Sequence, residues 1–153
     1  MKVEKFLKKA GVKFSKHRHP KAYTAQELAA GEHISGHQVA KSVVVHADDR
    51  RVLCVLPASC RIDLTKLAAQ LGVKHCRIAE EAELEELFPD VKLGAEPPFG
   101  HLYGLETVVD EHMTRCDNIT FSAGDYSKAI EMSFSEYVRL SEAKVMDFAL
   151  PAS

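Results

Sequence analysis

The sequence predicts a single α/β domain of the α+β type, spanning residues 1–153, in which a mixed β-sheet is flanked by helices. The length of 153 residues is that of one domain. Hydrophobic residues make up 46% of the chain and charged residues 27%, which is typical of a globular protein and excludes a disordered one. Segments of helical and of strand character alternate, joined by tight turns and by longer crossovers, and this order indicates a mixed sheet with helices packed on it.

The N-terminal part contains two predicted helices and a short strand. Apolar residues at helical spacing predict the first helix over residues 3–10, and a strand follows over residues 13–17. Thr24 and Glu27 form a capping-box pattern, in which each side chain satisfies a free backbone amide. A second helix is therefore expected from this point to Gly31.

The middle of the chain predicts a β-hairpin and a third helix. Valine-rich apolar runs predict strands over residues 39–47 and 51–56, and the polar turn between them indicates that the two strands pair. Asp63 is expected to cap a helix over residues 64–71, which Gly72 ends.

The last part of the chain combines an irregular loop with further strands. A fourth helix is expected near residues 80–88, where Pro89 ends it. Residues 94–100 contain two glycines and two prolines, so they cannot form regular structure. Three strand candidates follow, over residues 106–109, 118–122 and 129–132. Ser133 and Glu136 form a second capping-box pattern and predict a final helix.

Composition excludes several classes of protein. No apolar stretch approaches the roughly 20 residues that a membrane span needs, and the lysine-rich N-terminus lacks the apolar core of a signal peptide. We therefore expect a cytoplasmic protein. The four cysteines form no C-x-x-C pair, and the eight histidines show no zinc-site spacing. We therefore expect that the cysteines are reduced and structural, and that the protein binds no metal and no cofactor.

Charge is unevenly distributed along the chain, although the net charge is only −2. Residues 1–21 carry seven lysines and one arginine against one glutamate, a local balance of +7. Residues 80–90 carry five glutamates and one aspartate without a basic residue, a balance of −6. A basic end suits a polyanionic partner, but a lysine-rich helix face in solvent produces the same pattern, so charge alone leaves both interpretations open.

Lys41 is the first candidate for a functional side chain. Strand side chains alternate between faces, so Lys41 is expected on the same face as Val43 and Val45. A lysine among valines breaks the binary pattern, and such breaks concentrate at functional sites. A strand-end lysine whose stem packs while its ammonium reaches water would produce the same pattern. The pattern alone does not distinguish a functional lysine from a structural lysine at the end of a strand.

The glycine–proline loop, residues 94–100, is the second candidate. Glycine lets the backbone approach a ligand closely, and the Pro97–Pro98 pair stiffens the segment. Preordered amides can hold an oxyanion without a charged side chain, and this is the role expected for the amides near Gly94. Rigid surface loops without such a role are also common.

Six short segments, taken in order, carry a resemblance to a known family. They are Tyr23–Leu28, Val39–Ser42, Val55–Ala58, Arg61–Leu64, Gly94–Gly100 and Ile119–Gly124. This set is similar to the YbaK/ProX aminoacyl-tRNA editing domain, which is inserted in some bacterial prolyl-tRNA synthetases. The similarity covers about residues 10–140, and Gly94–Pro98 matches the G-x-x-x-P loop of the family.

The resemblance implies both a fold and an activity. The fold is a mixed sheet flanked by helices, and the activity is hydrolysis of the ester between a wrong amino acid and its tRNA. The chain contains no synthetase body, so the resemblance implies a free-standing editor acting in trans. Its implied partner is mischarged tRNA, with an aminoacyl-tRNA synthetase as a second candidate. In place of a protein base, such a site is expected to use a terminal ribose hydroxyl of the substrate.

The same resemblance assigns roles to individual residues. Lys41 matches the essential lysine of the family and Gly94 matches its loop, so these two are the expected catalytic residues. Ser42 stands where threonine or asparagine is common, so the amino-acid specificity of other members does not carry over. The expected pocket residues are His19, Thr24, Ser42, Val43, Val45, Ala95 and Pro98. The expected tRNA contacts are Lys5, Lys9, Lys16 and Arg18.

Aliphatic walls and one hydroxyl predict that this pocket accepts small amino acids, namely alanine, serine, threonine or cysteine.

Two other functions are compatible with the sequence. A non-catalytic module that binds tRNA or a synthetase could share the fold, although it would need neither Lys41 nor the Gly94 loop. A hydrolase could instead use Cys60 as a nucleophile with one of the histidines, and thiol alkylation would abolish its activity.

Overall fold

A computed structural model describes residues 2–151 and contains interleaved helices and strands. The helices are α1 (Lys2–Ala10), α2 (Ala25–Gly31), α3 (Leu64–Leu71), α4 (Glu81–Leu87) and α5 (Phe134–Ser141). The strands are β1 (Ser15–Arg18), β2 (Ala40–Ala47), β3 (Arg50–Pro57), β4 (Cys60–Ile62), β5 (Cys76–Ile78), β6 (Glu106–Asp110), β7 (Asn118–Ser122), β8 (Lys128–Ser133), β9 (Lys144–Met146) and β10 (Ala149–Pro151). Within this part of the chain, none of the helices has the length and hydrophobicity that a membrane span requires.

A mixed five-stranded sheet, in the order β5-β2-β3-β6-β9, forms the centre of the fold. β2 and β3 form the expected antiparallel hairpin, with Lys41 opposite Leu56. β6 pairs in parallel with β3, β9 pairs in parallel with β6, and β5 pairs antiparallel with the far end of β2. The predicted fold class, a mixed sheet flanked by helices, is confirmed.

A three-stranded antiparallel sheet, β1-β8-β7, lies beside the start of β2. A single parallel bridge between Val39 and Thr120 connects it to the central sheet, and within it the Thr120 N–H donates to Gln38 O at 3.0 Å. The pairing extends no further along β2. β2 and β7 therefore diverge immediately after the bridge, and the divergence opens a cleft between them.

Helix starts follow the local signals in the sequence. Thr24 Oγ1 accepts the Glu27 N–H at 3.1 Å at the start of α2, while the Glu27 carboxylate accepts the N–H of Tyr23 rather than that of Thr24. Asp63 Oδ1 accepts two amide N–H groups at the start of α3, and Ser133 Oγ accepts one at the start of α5. These three helices begin where the sequence predicts.

The main differences from the predicted elements concern short strands. β4, β5, β9 and β10 are not predicted from the sequence, because three residues are too few to show a period of two. β1 begins at Ser15 rather than at residue 13, and it ends at Arg18. Its side chains are mostly exposed, so pairing with β8 sets its boundaries rather than hydrophobic alternation.

Two hydrophobic clusters cover the two faces of the central sheet. On β3, Leu53 and Val55 pack into one cluster, whereas Val52, Cys54 and Leu56 pack into the other. Burial raises the pKa of the Cys54 thiol far above its usual range, so this cysteine acts as a small hydrophobic residue. Strand alternation thus directs the hairpin into both halves of the core.

Candidate active site

A cleft of about 180 Å³ occupies the gap between β2 and β7. Four residues predicted for the site line it: Thr24, Lys41, Ser42 and Gly94. They come from the start of α2, the start of β2 and the glycine–proline loop, and Ser122 of β7 forms the opposite wall. The fold therefore brings together segments that lie far apart in the sequence.

Lys41 is the cation that lines this cleft. Burial lowers the pKa of its ammonium group, and the nearby Cys60 thiol has the opposite effect. Within residues 2–151, Lys41 forms no ion pair with a carboxylate. An ammonium group that has lost part of its hydration and has no anionic partner favours an anionic or strongly polar group of a ligand.

Gly94 forms a wall of the cleft that admits no side chain. Its φ is +90°, in the left-handed region, and an added Cβ would lie 2.5 Å from the backbone oxygen of Tyr23. The loop therefore packs directly on the chain that leads into α2. Any larger residue at position 94 would have to move one of these two backbone segments.

Glu96 is a cleft residue that the sequence analysis missed. Its side chain is 8% exposed, and its Oε2 accepts the Gly94 N–H at 2.8 Å. Burial raises the pKa of Glu96 to about 7, against the opposing effect of the loop amides. The available signal in the sequence is an acidic residue between alanine and two prolines, in an otherwise apolar loop.

The hydrogen bond to Glu96 changes the role expected for the loop amides. The Gly94 N–H is engaged by the Glu96 carboxylate, and the Ala95 N–H donates to Lys92 O at 2.9 Å. The Glu96 N–H is directed at its own carboxylate, and Pro97 and Pro98 have no N–H. In this arrangement of the loop the amides near Gly94 are therefore engaged within the loop, against the expectation that they are free oxyanion donors.

The backbone N–H of Ser42 is better placed as a donor. In a β-strand the N–H and C=O of one residue point to the same side, and this side alternates from one residue to the next. Val44 O accepts the Ala79 N–H, so the N–H and C=O of Val44 and of Ser42, two residues earlier, point away from β3. That edge of β2 faces the gap left by β7, so the Ser42 N–H is directed at the cleft.

The Ser42 side chain contributes a second unsatisfied polar group. Its Oγ is buried and has no hydrogen-bond partner within residues 2–151. A buried hydroxyl without a partner is unfavourable, so a ligand that supplies a hydrogen bond would be stabilised here.

Tyr23 forms an aromatic rim beside the cleft. The Tyr23 side chain is 51% exposed, and its ring meets that of Tyr126 edge to face, with 4.7 Å between centroids. Tyr126 is held by a hydrogen bond from its hydroxyl to Leu93 O at 2.7 Å, and the Lys92 ammonium lies 5.6 Å from its ring centroid. The rim is thus anchored to the segment that precedes Gly94.

Four residues predicted for the pocket are not part of its lining. Val45 and Ala95 are fully buried, and Val43 packs against the hydrophobic cluster that contains Val45. Pro98 is buried as well, and its carbonyl accepts the Tyr137 hydroxyl at 2.7 Å. The cleft reaches only the first three residues of β2 and the first part of the loop, and beyond these points the core covers both segments.

His19 lies outside the lining too. Its Nδ1 is 2.7 Å from the carbonyl oxygen of Pro20, and its backbone N–H donates to Ser127 O at 3.1 Å. These contacts place His19 at the junction between β1 and the strand β8. His19 is thus separate from this cleft, and its role as a pocket wall stays a prediction.

The basic residues expected to contact tRNA lie on α1 and β1. Lys5 and Lys9 are exposed on the outer face of α1, and Arg18 is exposed at the end of β1. Lys16 is also exposed, but its ammonium lies 3.4 Å from the Glu4 carboxylate, which reduces its free charge. Of these four expected contacts, Lys5, Lys9 and Arg18 form no ion pair within residues 2–151.

Cys60 has no catalytic partner in the structure. Cys60 is buried, and within residues 2–151 it has no hydrogen bond from a histidine. His37, which lines the same groove as Cys60, has its Nδ1 2.6 Å from Ser59 Oγ rather than on the thiol. A groove of about 820 Å³ contains Cys60, and another of about 920 Å³ lies between the turn after α1 and α5, but neither contains Lys41 or Gly94. The smaller cleft is the candidate site because Lys41, the unpartnered Ser42 hydroxyl and the Gly94 loop meet there.

Asp110, His112 and Asp147 form a cluster with the spacing of metal ligands. Asp110 Oδ1 accepts the N–H groups of Phe148 and Ala149 at 3.0 and 2.9 Å, and its Oδ2 lies 2.6 Å from His112 Nδ1. The Asp110 carboxylate is thus fully used in holding β6 to the segment before β10. This cluster is a structural junction, apart from the cleft.

Glu96 should make the stability of the protein depend on pH. Its pKa is about 7 when folded and 4.5 when unfolded, so its stabilising contribution is complete below pH 4.5 and is lost as the pH rises through 7. The expected loss is about 3 kcal/mol, from 1.36 kcal/mol per unit. Tyr103 lies near the Glu96 carboxylate, and Lys41 and Tyr23 are titratable groups that line the same cleft.

The measurement is urea unfolding of wild type and Glu96→Gln at pH 5 and pH 8. As the pH rises from 5 to 8, we expect the free energy of unfolding of Glu96→Gln to increase relative to that of wild type. Glu85→Gln, an exposed change of the same charge on α4, is the control and should show no such gain. If the free energies of unfolding of Glu96→Gln and wild type differed by the same amount at pH 5 and at pH 8, this result would contradict the raised pKa of Glu96.

Comparison with known proteins identifies relatives over most of the chain. A family model described as the aminoacyl-tRNA editing domain matches residues 19–140. The multifunctional Ser/Thr-tRNA deacylase ProXp-y of Escherichia coli strain K12 is 33% identical over 101 residues, which are 65% of this chain and 60% of that protein. The proline–tRNA ligase of Lactococcus lactis subsp. lactis strain IL1403 is 31% identical over 104 residues, which are 68% of this chain but 17% of the ligase.

A solved structure gives the same result for the fold. A protein described as a candidate trans-editing enzyme for prolyl tRNA synthetase superposes with a TM-score of 0.83 at 25% identity. The superposition covers 97% of this chain and 95% of that protein.

Proposed function

This chain belongs to the family of aminoacyl-tRNA editing domains, and from that premise we propose that it is a free-standing enzyme that hydrolyses the ester of mischarged aminoacyl-tRNA. The observation that carries the proposal is the convergence of Lys41, Ser42 and the Gly94 loop on one small cleft. A module that only binds tRNA has no need of unsatisfied polar groups in a small recess. We also propose the cytoplasm as its place of action, because aminoacyl-tRNAs are made and used there.

The proposed reaction adds water across the ester bond. The water oxygen attacks the ester carbonyl carbon, the bond to the ribose oxygen breaks, and the products are a free amino acid and the tRNA with its terminal hydroxyl restored. The ester is already an activated acyl group, so positioning and stabilisation of the developing oxyanion supply most of the required rate. In this proposal the Ser42 N–H is the oxyanion donor, and Lys41 holds the terminal phosphate or ribose.

The volume of the cleft supports a small aminoacyl group. At about 180 Å³ it is below the roughly 300 Å³ at which pockets for drug-sized ligands begin. A pocket of this kind discriminates mainly by excluding what is too large, since each methylene contributes only about 1–3 kcal/mol. The unpartnered Ser42 hydroxyl favours serine and threonine, which agrees with the name of the Escherichia coli relative.

A deacylation series tests the proposed function. One tRNA body is charged in turn with alanine, serine, threonine, phenylalanine and lysine, and turnover by the purified protein is measured. We expect repeated turnover on the three small amino acids and little on phenylalanine or lysine. Equal rates for phenylalanine and alanine would contradict size exclusion, and binding without turnover on every substrate would favour the non-catalytic module.

The basic surface of α1 should contribute to tRNA binding. Replacing Lys5 and Lys9 by alanine should weaken binding and lower the slope of log affinity against log salt by roughly 0.7 to 0.9 per lost phosphate contact. The measurement is tRNA affinity at several salt concentrations. Lys74→Ala with Lys144→Ala, two exposed lysines elsewhere, is the matched control. An unchanged slope in the α1 variant would leave these lysines as a solvated helix face.

A further inference from the structure

Glu96 is the carboxylate of the cleft, and it has no cationic partner. No ion pair to Glu96 forms within residues 2–151, although its side chain is almost completely buried. The Gly94 N–H donates to the carboxylate, and the backbone amides of Ala95 and Glu96 also lie beside it, but these neutral donors supply no counter-ion. Burying an ionised carboxylate without a counter-ion is costly, so a ligand cation placed beside it would be strongly stabilised.

The substrate of the proposed function carries such a cation. In every aminoacyl-tRNA the carbon next to the ester carbonyl bears a free amino group, which is protonated in neutral solution to a large extent. A carbonyl held by the Ser42 N–H would therefore place an ammonium group within the same small cleft. Lys41, the other charged residue that lines the cleft, would repel this ammonium group and so cannot bind it.

We propose that Glu96 binds the α-ammonium group of the aminoacyl ester and thereby makes a free α-amine a requirement for hydrolysis. This inference rests on the proposed function, because it identifies which part of that substrate the cleft recognises. It predicts that esters of N-acylated amino acids and of α-hydroxy acids are poor substrates. An amide or hydroxyl group in place of the ammonium can still donate a hydrogen bond, but it leaves the buried carboxylate without a counter-ion.

Alternative roles for Glu96 predict different results. A carboxylate that only holds the Gly94 loop in place would affect all esters equally, whatever their α-substituent. The test must therefore compare two substrates of the same size that differ in this substituent alone. Alanyl-tRNA and lactyl-tRNA fulfil this condition, since a hydroxyl group in lactyl-tRNA replaces the ammonium of alanyl-tRNA.

The experiment measures kcat/KM for alanyl- and lactyl-tRNA, each divided by its uncatalysed rate of hydrolysis, because the ammonium group itself activates the ester. Wild type should prefer alanyl-tRNA at least tenfold. In Glu96→Gln this preference should fall to near unity, through loss of the alanyl rate with the lactyl rate little changed. Glu85→Gln, exposed on α4, should behave as wild type.

Two outcomes would overturn the inference: equal normalised rates in wild type, or an equal loss on both substrates in Glu96→Gln. The wild-type comparison decides the question even if the variant does not fold. If wild type hydrolyses neither ester, the proposed function fails instead. The affinities of the non-hydrolysable 3′-alanylamido and 3′-lactylamido analogues of adenosine then test Glu96 separately, with a tenfold preference for the alanyl analogue expected and equal affinities counting against it.

Discussion

Replacing Gly94 by alanine is expected to reduce kcat/KM for aminoacyl-tRNA at least 100-fold, or about 2.7 kcal/mol of transition-state stabilisation. Two effects combine at this position. The φ of +90° is unfavourable for alanine, and the new Cβ would lie 2.5 Å from the Tyr23 carbonyl oxygen. The loop or the start of α2 must move, and the movement displaces both walls of the cleft. The measurement is deacylation together with thermal unfolding.

Gly104→Ala is a matched control for this prediction. Gly104 also has a positive φ, of +72°, but an added Cβ there meets nothing within 4 Å. This variant should lose about 1–2 kcal/mol of stability from backbone strain, with no specific loss of deacylation. Equal activity losses in the two variants would show that backbone strain in general, and not the contact with Tyr23, is responsible.

Replacing Lys41 by alanine should lower kcat/KM at least tenfold, or about 1.4 kcal/mol. The ammonium group is half-buried beside the proposed substrate and has no partner in residues 2–151, so its charge is available to the ligand. Its removal breaks no ion pair and leaves no core cavity, so the melting temperature should change little. The measurements are deacylation kinetics and thermal unfolding of the same preparation.

Lys144→Ala is the control for Lys41→Ala, because Lys144 is an exposed strand lysine on β9. It should retain full activity. A folded Lys41→Ala protein with wild-type activity would remove Lys41 from the proposed mechanism. A large loss of stability in that variant would instead indicate that the lysine stem is a structural part of the core.

Much of the fold could be predicted because its signals are local. The cap at Thr24 involves residues three positions apart, and the alternation of the β2–β3 hairpin repeats every second residue. The position of Lys41 on its strand could be predicted for the same reason. Short strands such as β9 could not, because their pairing partner lies more than 30 residues away and three residues contain no period.

The composition of the cleft depended on long-range packing. Val43 and Val45 share a face with Lys41, and periodicity treats all three alike, yet the hydrophobic cluster covers the valines and leaves the lysine at the opening. Within the loop, the side chain of Ala95 faces the core and that of Glu96 lines the cleft. An irregular segment has no repeating geometry from which such directions follow.

Local sequence therefore accounts for the longer strands and helices, the helix caps, the unusual lysine and the glycine–proline loop, since each depends on residues close together in the chain, whereas the parallel pairing of β3 with β6 joins residues more than 50 positions apart. Tertiary structure alone accounts for the site. β2 and β7 meet at the Val39–Thr120 bridge and diverge beyond it, and the Tyr23 backbone packs on Gly94. Burial of Glu96 without a cation follows from that packing, because desolvation and counter-ion distance depend on the whole fold and not on neighbours in the chain.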